Sequence, residues 1–509
     1  MRKFLVILAV FAILAVGAPL TAHAKSTVTI ALSGEPPTMD PHRVSNFVGA
    51  MVWRWSYDTL LHAETGTGAK KPWLATKWVQ LSPLKWKFSL RKGVKFSDGS
   101  PFTAESFKYT ISRVQKSARQ RQYFKNIDKI EVIDDHTFIY HNREPDGGMW
   151  NRLTRWAGPI SLKTKGMELA HISRNTYGTG PYILKSWTKG QKMVFDANPN
   201  WWNNKNFPKR PQRIVLRRIR ESATRAKALQ AGEIDVAWGI MPQFIPQLEK
   251  NPKTKVAVVP AVRIMHMGFF TKHGGPMANV KVRQAINYAI DAEAIRTTIL
   301  GGRADLFGQM LHPWNYSGYN PKKKWYGYDQ AKAKALLKEA GYEKGFKMEV
   351  IATNGRYPGD KATCEAIAGM VKKVGVDATC NSQRFPLFKK LHSAYKAGKK
   401  KGAAAYYMGF GNGQGDSTSV LRGTSSCKGP WSGMCYPELD KAIDAATATV
   451  DPKKQQMAFE GVTDLMKKLV THKIVVKIHD VLGHGSNLKW IPRHDETLLP
   501  WEIGVLGMN

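Results

Sequence analysis

An α/β fold is what the sequence predicts, and three observations carry it. Strand and helix patterns alternate between residues 282 and 376, helix starts recur with mutually consistent caps, and short runs near the amino end alternate polar with apolar side chains. Taken in order, residues 27 to 32 (TVTIAL) alternate as a strand with one buried face does, and the run breaks at Gly34, Pro36 and Pro37. Residues 86 to 90 (WKFSL) alternate again. With Lys92-Gly93 and the VKF that follows, they read as a hairpin closed by Gly93, and Ser97-Asp98-Gly99 ends it.

A helix start comes next, with Thr103 as N-cap, Glu105 in the first turn and Phe102 placed to staple against Phe107. Phe107, Ile111 and Val114 then share one face. Residues 282 to 300 are helical twice over, with Asp291 as a second cap and Gly301-Gly302 as the stop. Residues 329 to 341 form a capped helix that ends in glycine; a strand at 347 to 351, a helix from about 361 to 373 and an apolar run around Val376 follow. Beyond Pro437, Leu439, Ala442, Ile443 and Ala446 recur at helical spacing, as do Ala458, Val462, Leu465, Met466 and Leu469 beyond Asp451-Pro452. These stripes are core faces. No internal repeat and no Gly/Ser linker interrupts the chain, so its domains must be joined through ordered crossings.

The first residues carry Arg2 and Lys3, an apolar run from 4 to 16, and Ala22-His23-Ala24 ahead of the polar Lys25, Ser26 and Thr27. That is the layout of an export leader over residues 1 to 24, cleaved near Ala24. No cysteine follows it to take a lipid, and no later apolar stretch has the length of a membrane span. The remaining chain, from a total of 509 residues, is long enough for two to four domains at about 100 to 200 residues each.

Cys364, Cys380, Cys427 and Cys435 are the four cysteines, and an exported chain meets an oxidising compartment. Of three possible pairings, short loops favour Cys364 with Cys380 and Cys427 with Cys435. A zinc site has neither C-x-x-C spacing nor an adjacent histidine to support it, and no metal or cofactor is expected. The 77 Lys and Arg against 39 Asp and Glu give +38. These basic residues are spread from end to end without a nucleic-acid-binding motif, so no nucleic-acid partner is expected. A field of this sign draws in anions, favours an anionic membrane face, or keeps the protein soluble.

Residues 74 to 114, LATKWVQLSPLKWKFSLRKGVKFSDGSPFTAESFKYTISRV, resemble the signature region of the extracellular solute-binding family that includes dipeptide and oligopeptide receptors. So do 177 to 202, 223 to 239, 282 to 295, 332 to 346 and 435 to 446, in the family's order. The resemblance implies a two-lobed, type II-like periplasmic-binding fold with an extra inserted domain. Lobe I maps to 25 to 50, 176 to 262 and 478 to 509, the insertion to 51 to 175, and lobe II to 263 to 477. It also implies a monomeric periplasmic receptor that hands a peptide-like solute to an inner-membrane ABC permease with ATPase subunits.

A peptide held away from water needs a base for its carboxylate and an acid for its ammonium. In the family, a carboxylate after a Gly-aromatic-Gly turn in lobe II binds the amine. Here the turn is Gly409-Phe410-Gly411-Asn412-Gly413-Gln414-Gly415-Asp416, which makes Asp416 the candidate. The acid of dipeptide receptors falls on Gly413, and Asp416 resembles the acid of a sister subgroup, so opines, sugars and metal chelates stay open as cargo. Arg356, in an Arg-Tyr pair after a strand, is the candidate for the carboxylate, because a guanidinium grips two oxygens at once. Tyr357, Phe410, Asn412, Ser45 and Asn46 are candidate cleft residues. Against these stand turn chemistry for Asp416 and a plain surface position for Arg356.

No G-x-S-x-G, H-E-x-x-H, phosphate loop or dinucleotide fingerprint is present, and His484 with Ser486 indicates no partner acid, so an enzyme is not expected. A charge-driven polyanion binder is the remaining rival. Its binding would weaken steeply with salt.

Overall fold

The computed structural model describes residues 27–506, apart from 45, 66, 313–316 and 412–415, and leaves out the side chain of Phe47. The expected leader, Ser45 and Asn412 therefore lie outside the described residues.

An eleven-stranded sheet organises the chain. Its order runs Asp377–Gln383, Lys347–Thr353, Ala403–Gly411, Thr254–Phe269, His472–Gly485, Val236–Trp238, Thr27–Leu32, Arg213–Arg218, Lys192–Ala197 and Tyr182–Thr188, with Ala304–Asp305 paired to the side of His472–Gly485. Two long antiparallel strands, Thr254–Phe269 and His472–Gly485, span the whole centre. One end of this pair joins the strands of the first half through Val236–Trp238, and the other joins Ala403–Gly411. Their register shifts between Pro260 and Ile264. Proline has no N–H to give to a ladder, so pairing fails and the sheet bends at that point.

A separate four-stranded antiparallel sheet holds Ala75–Ser82, Lys85–Leu90, Thr137–Asn142 and Ile127–Asp134 in that order. The hairpin expected from 86 to 96 is corrected here: Lys85–Leu90 pairs with Ala75–Ser82 and Thr137–Asn142, while Lys95 makes only an isolated bridge to Pro101. Gly93, at φ 74°, turns the chain away from the strand instead of folding it back. The helix Ala104–Lys116 covers this sheet and starts as expected. The Thr103 hydroxyl accepts from the Ser106 N–H, and Phe107, Ile111 and Val114 are buried.

Apolar side chains gather into distinct cores. Val44 to Ile172 supply one, with Phe88, Phe107 and Phe138 at its centre. Val28, Ile30, Phe195, Trp238 and Leu499 belong to a second, drawn from both ends of the chain. Met267, Ile286, Val350, Ile367 and Tyr406 belong to a third, built from the second half. The helices Gln330–Glu339, Asp360–Lys372, Pro437–Ala448 and Pro452–Lys468 occupy the spans expected of them, with Asp329 and Asp451 as caps. Disulfides join Cys364 to Cys380 and Cys427 to Cys435, the pairing that the short loops favoured. The second expected helix, capped by Asp291, opens as Ala292–Ala294 and widens into a π turn, Ile295–Ile299.

Candidate functional site

Lys347–Thr353 and Ala403–Gly411 are adjacent and parallel, so the loops after them leave from the same edge of the sheet. Carboxyl ends of parallel strands are where open α/β sheets bind ligands. The loop after Lys347–Thr353 is held by one carboxylate. Asp360 accepts from the N–H groups of Gly355 (3.0 Å), Arg356 (3.0 Å) and Tyr357 (3.2 Å) and from the Thr353 hydroxyl (2.8 Å). Tyr357 is buried, and its hydroxyl donates to the Gly409 carbonyl at 2.8 Å, which ties this loop to the neighbouring strand.

Arg356 is exposed. Its guanidinium lies 3.7 Å from the centre of the Phe385 ring, and its Nε donates to the Tyr357 hydroxyl at 2.9 Å. The side chain is therefore oriented by a ring and a hydroxyl, and its remaining N–H donors meet no acceptor among the described residues. Phe410 is half-buried and packs against Gly423 and the core around Val420 and Leu421.

Asp416 sits at the amino end of the helix Ser417–Thr424, where its Oδ1 accepts from the Ser419 N–H at 2.6 Å. It is buried; burial raises its pKa, and Arg152 is the first group that opposes the rise. Arg152 comes from the smaller sheet's unit. It pairs with Asp146, and the Gly147 N–H beside it donates to the Thr447 carbonyl at 3.4 Å. A Cβ on Gly147 would stand 2.8 Å from the Thr449 carbonyl oxygen, so glycine permits this approach. Asn46 is exposed and spends its carboxamide on the Gly49 N–H at 2.9 Å, as the cap of Phe47–Val52. The structure thus brings together Arg356, Tyr357 and the Gly409–Phe410 strand end, sets Asp416 against Arg152, and leaves Asn46 as a cap.

Arg263, on the long strand Thr254–Phe269, lies at the same edge and pairs across to Gly411. A Cβ on Gly411 would meet its Nη2 at 2.9 Å, so the two strands approach closely there. Arg263 donates to Glu496 Oε2 at 2.9 Å and lies 5.4 Å from the Tyr357 ring. Sequence reasoning missed Arg152, Arg263, Asp360 and Glu496. Only Asp360 had a local signal, an acid four residues after Arg356; Arg263 and Glu496 are 233 positions apart.

The model of the bacterial extracellular solute-binding proteins, family 5, matches residues 70–431. The chain belongs to this family. A glutathione-binding protein, GsiB of Salmonella choleraesuis, is 26% identical over 511 aligned residues, covering 93% of this chain and 94% of its own. DppA of Helicobacter pylori, a periplasmic binding protein solved with the peptide STSA, is 24% identical with a TM-score of 0.78 over 94% of this chain and 98% of its own. CtaP of Listeria monocytogenes, an ABC transporter substrate-binding protein, is 20% identical with a TM-score of 0.84 over 95% and 99%. The fold is therefore the two-lobed one of periplasmic binding proteins, and the function is that of the family, extracellular solute binding.

In this family 5 protein the Arg263–Glu496 pair carries a second acid, Asp480, from the partner strand His472–Gly485. Asp480 Oδ2 and Glu496 Oε1 are sealed from solvent and meet no donor among the described residues. Burial, and then the charge of Glu496, push the Asp480 pKa up to about 8. The folded state thus holds a proton that the unfolded chain releases near its ordinary carboxylate value, so stability falls as pH rises through the window ending at about 8. Asp480→Asn should flatten the thermal midpoint between about pH 6.5 and about pH 8 relative to the parent. Parallel curves for the two proteins would remove Asp480 as the cause.

Proposed function

We propose that this chain is the exported, monomeric, periplasmic receptor of an ABC importer, released from its leader near Ala24. It binds a peptide or peptide-like solute between two lobes and delivers it to an inner-membrane permease driven by ATPase subunits. Lobe I comprises 25 to 50, 176 to 262 and 478 to 509, the inserted domain 51 to 175, and lobe II 263 to 477. The observation that carries the reading is the pair of crossing strands broken between Pro260 and Ile264, with the Arg356–Tyr357 loop beside the break. A bend there lets two rigid halves close on a solute that touches both. The named ligands of GsiB and DppA, glutathione and a peptide, support the peptide-like class. Gly413, at the position of the dipeptide-type acid, favours a second reading in which the same receptor carries a non-peptide solute.

Mass spectrometry of solutes that co-purify, followed by a thermal-shift screen with glutathione and short peptides, tests the reading. A bound solute should raise the melting midpoint and reduce the radius of gyration, with no turnover. Arg356→Ala should weaken binding by about tenfold to a hundredfold and leave the midpoint of the empty protein in place, because the side chain is exposed. If scattering and melting stay unchanged across the whole panel and no solute co-purifies, the receptor reading fails.

A further inference from the structure

The charged groups at the cleft are unequally committed. Asp416 Oδ1 caps its helix, and the side chain faces Arg152. Asp146 is paired with Arg152 and Glu496 with Arg263, so each of these acids has a guanidinium beside it, while Asp360 is spent on backbone N–H groups. Asp480 Oδ2 is sealed from solvent, and burial raises its pKa. Arg356 differs: it pairs with no carboxylate among the described residues, and its polar contact is to the neutral Tyr357 hydroxyl. It is also fixed in place, stacked at 3.7 Å on Phe385 at the end of a loop that Asp360 pins through three N–H groups.

We propose that this receptor selects net-anionic solutes by their carboxylates and needs no ligand ammonium. The inference rests on the receptor reading above and names the class of solute. A guanidinium that is oriented and unpaired gains two charge-assisted bonds from a carboxylate without first giving up a partner. An ammonium arriving at Asp416 meets the opposite situation, since it must take the acid from Arg152 against that residue's positive charge. The overall charge of +38 acts in the same direction, because it raises the local concentration of anions and repels cations.

The test uses three probes on one skeleton: alanyl-glutamate, N-acetyl-alanyl-glutamate, which lacks the ammonium, and alanyl-glutamine amide, which lacks both carboxylates. Calorimetry on the full mature protein should find the acetylated probe within about threefold of the parent probe, and the amide weaker by about thirtyfold or more. Arg356→Met should bring the parent probe down to the level of the amide, and Arg356→Lys should restore part of the loss. If the amide binds and the acetylated probe does not, the selectivity inference is overturned and the receptor reading stands. Should none of the three bind while another solute co-purifies, that solute's charge decides. A net-anionic solute without a required amine supports the inference, and a cationic or neutral one overturns it. If no solute of any kind binds, both readings fall together.

Discussion

Acidification from about pH 7.5 to about pH 4.5 should unfold this protein, and its buried histidines are the reason. His42, His266, His312, His392 and His472 are all buried. Loss of water is the largest cause in each case. It lowers His42, His266 and His392 to about 4 and His312 to about 3, and it holds His472 well below the ordinary value. His266 and His472 stand with ring centroids 5.0 Å apart, so each makes a charge on the other less favourable. Because the folded values lie below the unfolded value near 6.5, the unfolded chain takes up protons first as pH falls. The stability is complete above about 6.5 and drains below it, at about 2 kcal/mol per histidine by pH 5. Several such terms together match the whole stability of an ordinary domain, about 5–15 kcal/mol.

Near-ultraviolet circular dichroism at stepped pH reads this directly. His392→Phe gives the control, because His392 packs among Phe270, Phe388, Tyr406 and Trp431, where a phenyl ring fits. That variant should lose stability with pH on a slope about one proton shallower. A stability that stays level between about pH 7 and about pH 5 would show that the histidines do not stay neutral in the fold.

Arg263→Met should destabilise the protein by about 3 kcal/mol and impair closure as well. Met replaces the aliphatic stem and leaves Glu496, 4% exposed, beside Asp480 with no cation. The loss arises from the stranded acid, so Glu496→Gln combined with Arg263→Met should recover part of it. Guanidinium melts of the two single variants and the double variant measure the coupling. If the double variant loses the simple sum of the singles, Arg263 and Glu496 do not act as a pair. Since Arg263 links a crossing strand to the carboxyl-terminal loop, scattering with bound solute should also show a smaller contraction in the single variant.

Within the chain, local order is what the amino-acid pattern determined. Thr103, Asp329 and Asp451 cap their helices because a side-chain oxygen needs only an N–H two or three residues on, and the disulfides follow from loops short enough to close. The α/β class and the Arg356–Tyr357 loop after its strand were legible for the same reason. Long-range pairing was not. The run at 94 to 96 had the alternation of a strand, but the partner of Lys85–Leu90 was settled by competition among distant strands. The two long central strands carry no pattern that separates them from ordinary buried strands. The state of each charge in the cleft was likewise decided in three dimensions, since a carboxylate's availability depends on which guanidinium folds against it. Asp416 faces Arg152 from the smaller sheet's unit and Glu496 meets Arg263 across 233 positions, whereas Arg356 has only a ring and a hydroxyl beside it.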